Sequence, residues 1–246
     1  MYVDVVDPER ARRLPWALLA YAGALAAFLL LPPILHATVG PPGGFTLQEA
    51  VDLFTPIVVL PLAWWALDCL GGLRPVELLI FLIIAIVWVE GQATHLATNA
   101  IGDVFARGAA RDEFYATEAG DLDHWFDEVL SHWLWHLAWA ALSVFIVAVA
   151  TRRREWPRGP GRLSAAAGAV HGATFFFVTT EGETALLGIP LSVVLLGWTA
   201  RETAAGSRNP AIRFFLVSSV VTLTGYLVWA ALNRWQLVEP CSVIGC

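Results

Sequence analysis

DLDHWFDEVLSHWLWH, residues 121–136, begins as an acidic connection and runs on as an apolar helix. Glu128, His132 and His136 recur every fourth residue. At about 3.6 residues per turn they climb one narrow face, while Trp133, Leu134, Trp135 and Trp139 cover the rest of the surface. A helix this apolar is expected to lie in a membrane, where each strongly polar group near mid-bilayer costs about 2–3 kcal/mol. The stripe must therefore face a protein interior, and three aligned polar groups imply a shared partner. A bound metal is the first expectation for that partner.

The whole chain carries the same signature. Of 246 residues 57% are apolar and 15% charged, with a mean hydropathy of +0.63, far above that of a water-soluble domain. Runs long enough to cross about 30 Å of hydrocarbon recur throughout, at about 14–36, 51–70, 76–101, 124–150, 163–180, 185–200 and 211–232. The expectation is one all-α membrane domain of seven transmembrane helices. The first run follows Arg10, Arg12 and Arg13 but is too long for a signal peptide and lacks a convincing cleavage pattern, so it is read as an uncleaved helix. No basic patch with interleaved aromatics suggests nucleic acid. Cys69 lies in an apolar run, and Cys241 and Cys246 in the tail are read as two free thiols or a small disulfide loop.

Arginine orients the bundle, because the chain has no lysine. With the N-terminus in the cytoplasm, twelve arginines fall inside and three (Arg107, Arg111 and Arg234) outside, a clear bias towards the cytoplasmic side. Trp16 and Trp156 then mark the inner boundary, Trp125 and Trp235 the outer one. The connection at 103–123 is read as a short interfacial helix over the outer end. His36 and His124 are boundary residues expected to be solvated, and Asp68 an inner outlier that serves packing or topology.

In this topology the polar residues converge in depth. At about 1.5 Å rise per residue, His95 lies about 12 Å below Asp103, His132 about 14 Å below Asp123, and His171 about 14 Å below Thr180. Three helices thus offer a histidine at one expected level. Gln92, His95, Asn99 and Asp103 share one face of the third helix, and Glu90 lies off it. Of the adjacent Asp127 and Glu128, which point about 100° apart on an α-helix, Glu128 is the one expected on the histidine stripe. The expected metal ligands are His95, His132 and His171, with His136 or Glu128 as a further ligand. Zinc is the first choice and iron or manganese the next, because imidazoles with charge-compensating carboxylates suit all three. Glu90, Glu181 and Glu183 are the candidate proton-transfer carboxylates, and Asn99 the orienting group.

Seven spans, an inside N-terminus and an HxxxH pair, His132 and His136, with further histidines and acids, resemble the seven-helix zinc-dependent membrane hydrolases that include ceramidases and the progestin and adiponectin receptors. Those proteins carry the HxxxH pair on the last helix, whereas here it is on the fourth. The resemblance therefore covers an architecture and one short motif, and the family is not assigned. The functional expectation is a metal-dependent hydrolase of the plasma (inner) membrane, acting on a lipid or other amphiphile that enters from the outer leaflet. The alternatives are a non-haem iron oxidase or desaturase, a metal or proton transporter, and a haem-binding membrane protein.

Overall fold

The computed structural model describes residues 7–35, 37, 39, 46–106, 110–152, 156, 161–240 and 243, with backbone alone at 33, 103, 105, 106 and 110–112. His36, Cys241, Cys246, Arg107 and the side chains of Asp103 and Arg111, all named above, lie outside that description.

Helix α1 (Pro8–Leu30) begins ahead of the apolar run, because Asp7 accepts from the Glu9 amide and Pro8 occupies the first turn. Its arginines are thus helical, and Arg10 reaches Asp68 at 3.5 Å. A single 3-10 turn at Pro32–Ile34 ends it. Helix α2 (Leu47–Cys69) opens on a capping box in which Thr46 and Glu49 satisfy each other's backbone amides. Helix α3 (Pro75–Ala106) has 32 residues and is about 48 Å long, well over one hydrocarbon thickness. Two short helices, α4 (Ala110–Tyr115) and α5 (Glu118–His124), occupy the expected interfacial connection.

From α5 the chain does not break. It passes through a π-helical segment, Trp125–Ser131, directly into α6 (His132–Thr151), making one continuous 34-residue rod. Helices α7 (Gly161–Glu181), α8 (Ala185–Ala204) and α9 (Pro210–Leu232) complete the bundle. Seven helices are long and apolar enough to cross a membrane, and no strand occurs among the described residues. This is a polytopic membrane helix bundle. Leu79, Ile83, Leu186, Val194 and Leu227 are all exposed, as side chains that meet lipid should be.

Small residues decide which helices touch. A Cβ on Gly168 would meet the Phe214 carbonyl oxygen at 2.2 Å, and one on Gly172 the Ser218 carbonyl at 2.3 Å, so α7 and α9 are in backbone contact. Gly91 does the same for α3 against α6, where a Cβ would lie 2.6 Å from the Trp135 amide. At the end where the chain enters α1, Glu77 binds Arg74 and Arg152, and Asn209 donates to the Ala150 carbonyl at 3.1 Å. Trp156 is buried there, whereas Trp16, Trp125 and Trp235 are exposed as boundary residues should be. The opposite end is uneven. The α7–α8 turn packs beside His132 and His136, four to five helical turns short of the start of α5, so α3 and the α5–α6 rod stand above it and leave a recess.

Candidate metal and catalytic cavity

That recess is a cavity of about 680 Å³. Asp52 enters it from α2, Gln92, His95 and Asn99 from α3, Glu128, His132 and His136 from the α5–α6 rod, and Glu181 and Glu183 from the α7–α8 turn. His124 also lines it and is exposed.

The three imidazoles present the same nitrogen to their supports. Asn99 donates from Nδ2 to His95 Nε2 at 3.0 Å, so Nε2 carries the lone pair and Nδ1 the proton. That Nδ1 lies 2.8 Å from Asp127 Oδ1, close enough for charge pairing although off the line of the ring N–H. His132 Nδ1 donates to the Glu128 backbone carbonyl at 3.0 Å, with the Glu128 carboxylate 3.5 Å away. His136 Nδ1 donates to Thr184 Oγ1 at 2.5 Å, and the Thr184 hydroxyl in turn faces the Thr179 carbonyl. His136 Nε2 is buried without a partner. The ring centroids of His95 and His132 are 5.1 Å apart and those of His132 and His136 5.6 Å, the latter pair nearly parallel.

Carboxylates surround His95 more closely than the sequence suggested. Asp127 also accepts from Thr98 at 3.0 Å, and Asp52, 4.0 Å from His95 Nε2, is fixed by Gln92 at 2.7 Å and Thr55 at 3.3 Å. Both Asp127 and Glu128 reach the histidines, against the expectation that only Glu128 would. The π-helical turn is the reason, since its wider winding brings neighbouring residues closer in direction than the 100° of an α-helix. In sequence Asp52 is a lone acid at the start of an apolar run, with no histidine or second acid at helical spacing in the run to mark it. Its signal is depth: α2 descends from the same end as the histidines.

Two expected residues are elsewhere. His171 accepts from Trp139 Nε1 at 3.0 Å through Nε2 and pairs with Ser218 at 2.8 Å through Nδ1, enclosed by Tyr21, Phe175, Phe214 and Phe215. Trp139 is two turns past His132, about 10 Å deeper, so the expected common level fails for α7. That helix ends low in the bundle, and counting down from its end overestimated the height of His171. Glu90 is exposed and does not line the cavity. Gly91 faces α6 and Gln92 faces α2, which turns position 90 to the outside.

Glu181 and Glu183, by contrast, both line the cavity, Glu181 partly buried and Glu183 exposed, because the turn that carries them is recessed. Glu183 holds φ at +52°, a left-handed conformation in a non-glycine residue. Gly182 beside it lies against His136, where a Cβ would be 2.6 Å from Cε1.

At the floor of the cavity, Trp135 in its wall packs on the buried Trp88 and Trp139, with ring centroids 6.0–6.3 Å apart. Among the described residues, no three His, Cys, Asp or Glu side chains are already gathered tightly enough to hold one metal ion. The chain matches no protein-family description, no curated protein and no solved structure.

Proposed function

We propose that the protein is an integral membrane metalloenzyme, a zinc-dependent hydrolase of lipids or other amphiphiles, with His95, His132 and His136 as ligands through Nε2. One observation carries the reading: in all three rings Nδ1 faces a protein oxygen, from Asp127, the Glu128 carbonyl and Thr184, which is how metal-bound histidines are commonly oriented. The unpartnered Nε2 of His136 is a buried acceptor that an ion would satisfy. Two imidazoles on a tetrahedral zinc, with bonds near 2.0–2.1 Å, have ring centres about 5 Å apart, close to the 5.1 and 5.6 Å found here. The parallel rings of His132 and His136 do not converge, so binding requires a rotation of His132, the less deeply buried of the pair, and release of His95 Nε2 from Asn99.

Zinc supplies a Lewis acid for a carbonyl or phosphoryl oxygen and an acidified water. Glu181 and Glu183 are the carboxylates of the α7–α8 turn that can carry the proton, and Asn99, once released, is a donor for the substrate. The tryptophan layer favours an enclosed site over a conduit for ions, since the buried polar groups beneath it, His171 with Trp139 and Ser218, are hydrogen-bonded to one another within the bundle. The arginine bias supports a cavity on the extracytoplasmic side, open to the outer leaflet, in this reading that of the plasma membrane.

Elemental analysis of purified protein tests the site. Stoichiometric zinc is expected, lost on combined His95, His132 and His136→Ala substitution and kept in His171→Ala. Metal-free wild-type protein, or metal retained in the triple variant, refutes it. Stoichiometric iron would move the same ligands to the oxidase or desaturase reading.

A further inference from the structure

A second, apolar recess opens on the lipid-facing side of the bundle between α2 and α3, about 300 Å³ in volume and walled by Leu53, Pro56, Ile57, Val89, Ala93 and Leu96. Gln92 lines both this groove and the polar cavity, and is the residue they share. Its side chain is 3% exposed; Nε2 is committed to Asp52, and Oε1 is buried with no hydrogen-bond partner. An orphaned acceptor costs about 1–3 kcal/mol, so the wall between the two recesses is arranged for a donor it lacks. Pro56 adds a local cause for the hollow: without an N–H it leaves the Asp52 carbonyl without its helical donor, and its ring takes the place of a longer side chain.

We propose that the α2–α3 groove holds the hydrocarbon chain of an amphiphile whose polar head occupies the cavity, with Gln92 Oε1 accepting from a hydroxyl or amide N–H at the junction of head and chain. The proposal rests on the hydrolase reading for what happens to the head, and not for the groove itself. The occupant is fixed by position: Leu53, Ile57 and Val89 are 45%, 60% and 44% exposed within membrane-spanning segments, where an acyl chain is the solvent. Continuity through Gln92 distinguishes this groove from the rest of the lipid-facing surface. A chain seated there carries its first polar linkage to the level of Asp52 and His95.

The test uses the full chain in lipid nanodiscs with two lipids of equal length bearing a diazirine in mid-chain, one with an amide N–H at the linkage and one with that nitrogen methylated. Labelled residues are mapped by mass spectrometry. Labelling is expected to concentrate on Leu53, Ile57, Val89, Ala93 and Leu96 over the comparably exposed Val193 and Val194 of α8, to weaken for the methylated probe, and to be lost in Ala93→Trp and in Ile57→Trp, which fill the groove from its two sides. Even labelling of the whole surface, or labelling that survives both substitutions, overturns the groove; equal labelling by the two probes overturns the role of Gln92. Zinc content measured on the same samples separates the readings. Metal without groove labelling sinks the groove alone, and groove labelling without metal sinks the metalloenzyme and leaves a lipid-binding site.

Discussion

The buried histidines are defined by what their two nitrogens meet. His171 has both satisfied and is a buried structural residue, whereas His136 has one nitrogen held by Thr184 and the other buried and unpartnered. Replacing Thr184 by the near-isosteric valine removes that support without emptying its volume. Thr184→Val should weaken zinc binding about 10–100-fold, the usual range for losing such a partner, and lower stability by about 1–3 kcal/mol because the His136 Nδ1–H is left buried and unpaired; competition against a chelator measures the first and thermal unfolding the second. Glu183 offers the converse case. Its left-handed backbone costs about 1–2 kcal/mol that glycine would not incur, so Glu183→Gly should raise stability by roughly that amount in thermal unfolding. Turnover should fall in the same variant if its carboxylate carries the proton.

The π-helical segment is the element that converts an amphipathic helix into a site. Trp125–Ser131 holds one residue more than an α-helical stretch of equal rise would, and this lets Asp127 reach His95 and Thr98 while Glu128 stays beside His132. Deleting Val129 should restore α-helical winding and rotate Asp127 by about 100° away from α3. The expected outcome is a folded seven-helix protein by circular dichroism and gel filtration that no longer retains zinc. Zinc retained at wild-type affinity would mean that the π segment is incidental to the site. Gly91 works at the same scale: it lets α3 press against α6 at Trp135, which sets the distance at which His95 and His132 face each other.

At the scale of the molecule, a tall pair of helices beside a recessed turn creates a polar cavity, with buried tryptophans packed at its floor. Its proposed sidedness rests on the arginine bias of the sequence. In a variant without its native cysteines, Glu118→Cys should react with a membrane-impermeant maleimide in intact cells, while Arg208→Cys should react only after permeabilisation. The reverse pattern would put the cavity on the cytoplasmic side.

The sequence alone determined the bundle, because a span needs only length and apolarity, and both are local properties. It also singled out His95, His132, His136, Asn99 and the glutamates of the TTEGET turn, since polar residues in apolar helices stand out wherever they point. What it left undetermined depends on how the helices are offset. His171 shared an apparent depth with the others only while every helix was counted from a common boundary, and the recessed α7–α8 turn removes that boundary. Asp52 and Thr184 joined the site across helix contacts that no periodicity encodes, and Asp127 joined it through a π turn whose hydrogen-bond shift leaves no mark in the pattern of side chains. Face and depth along one helix are set by its own sequence; the height at which helices lock together is set by where glycine lets backbones touch, and only the tertiary structure decided that.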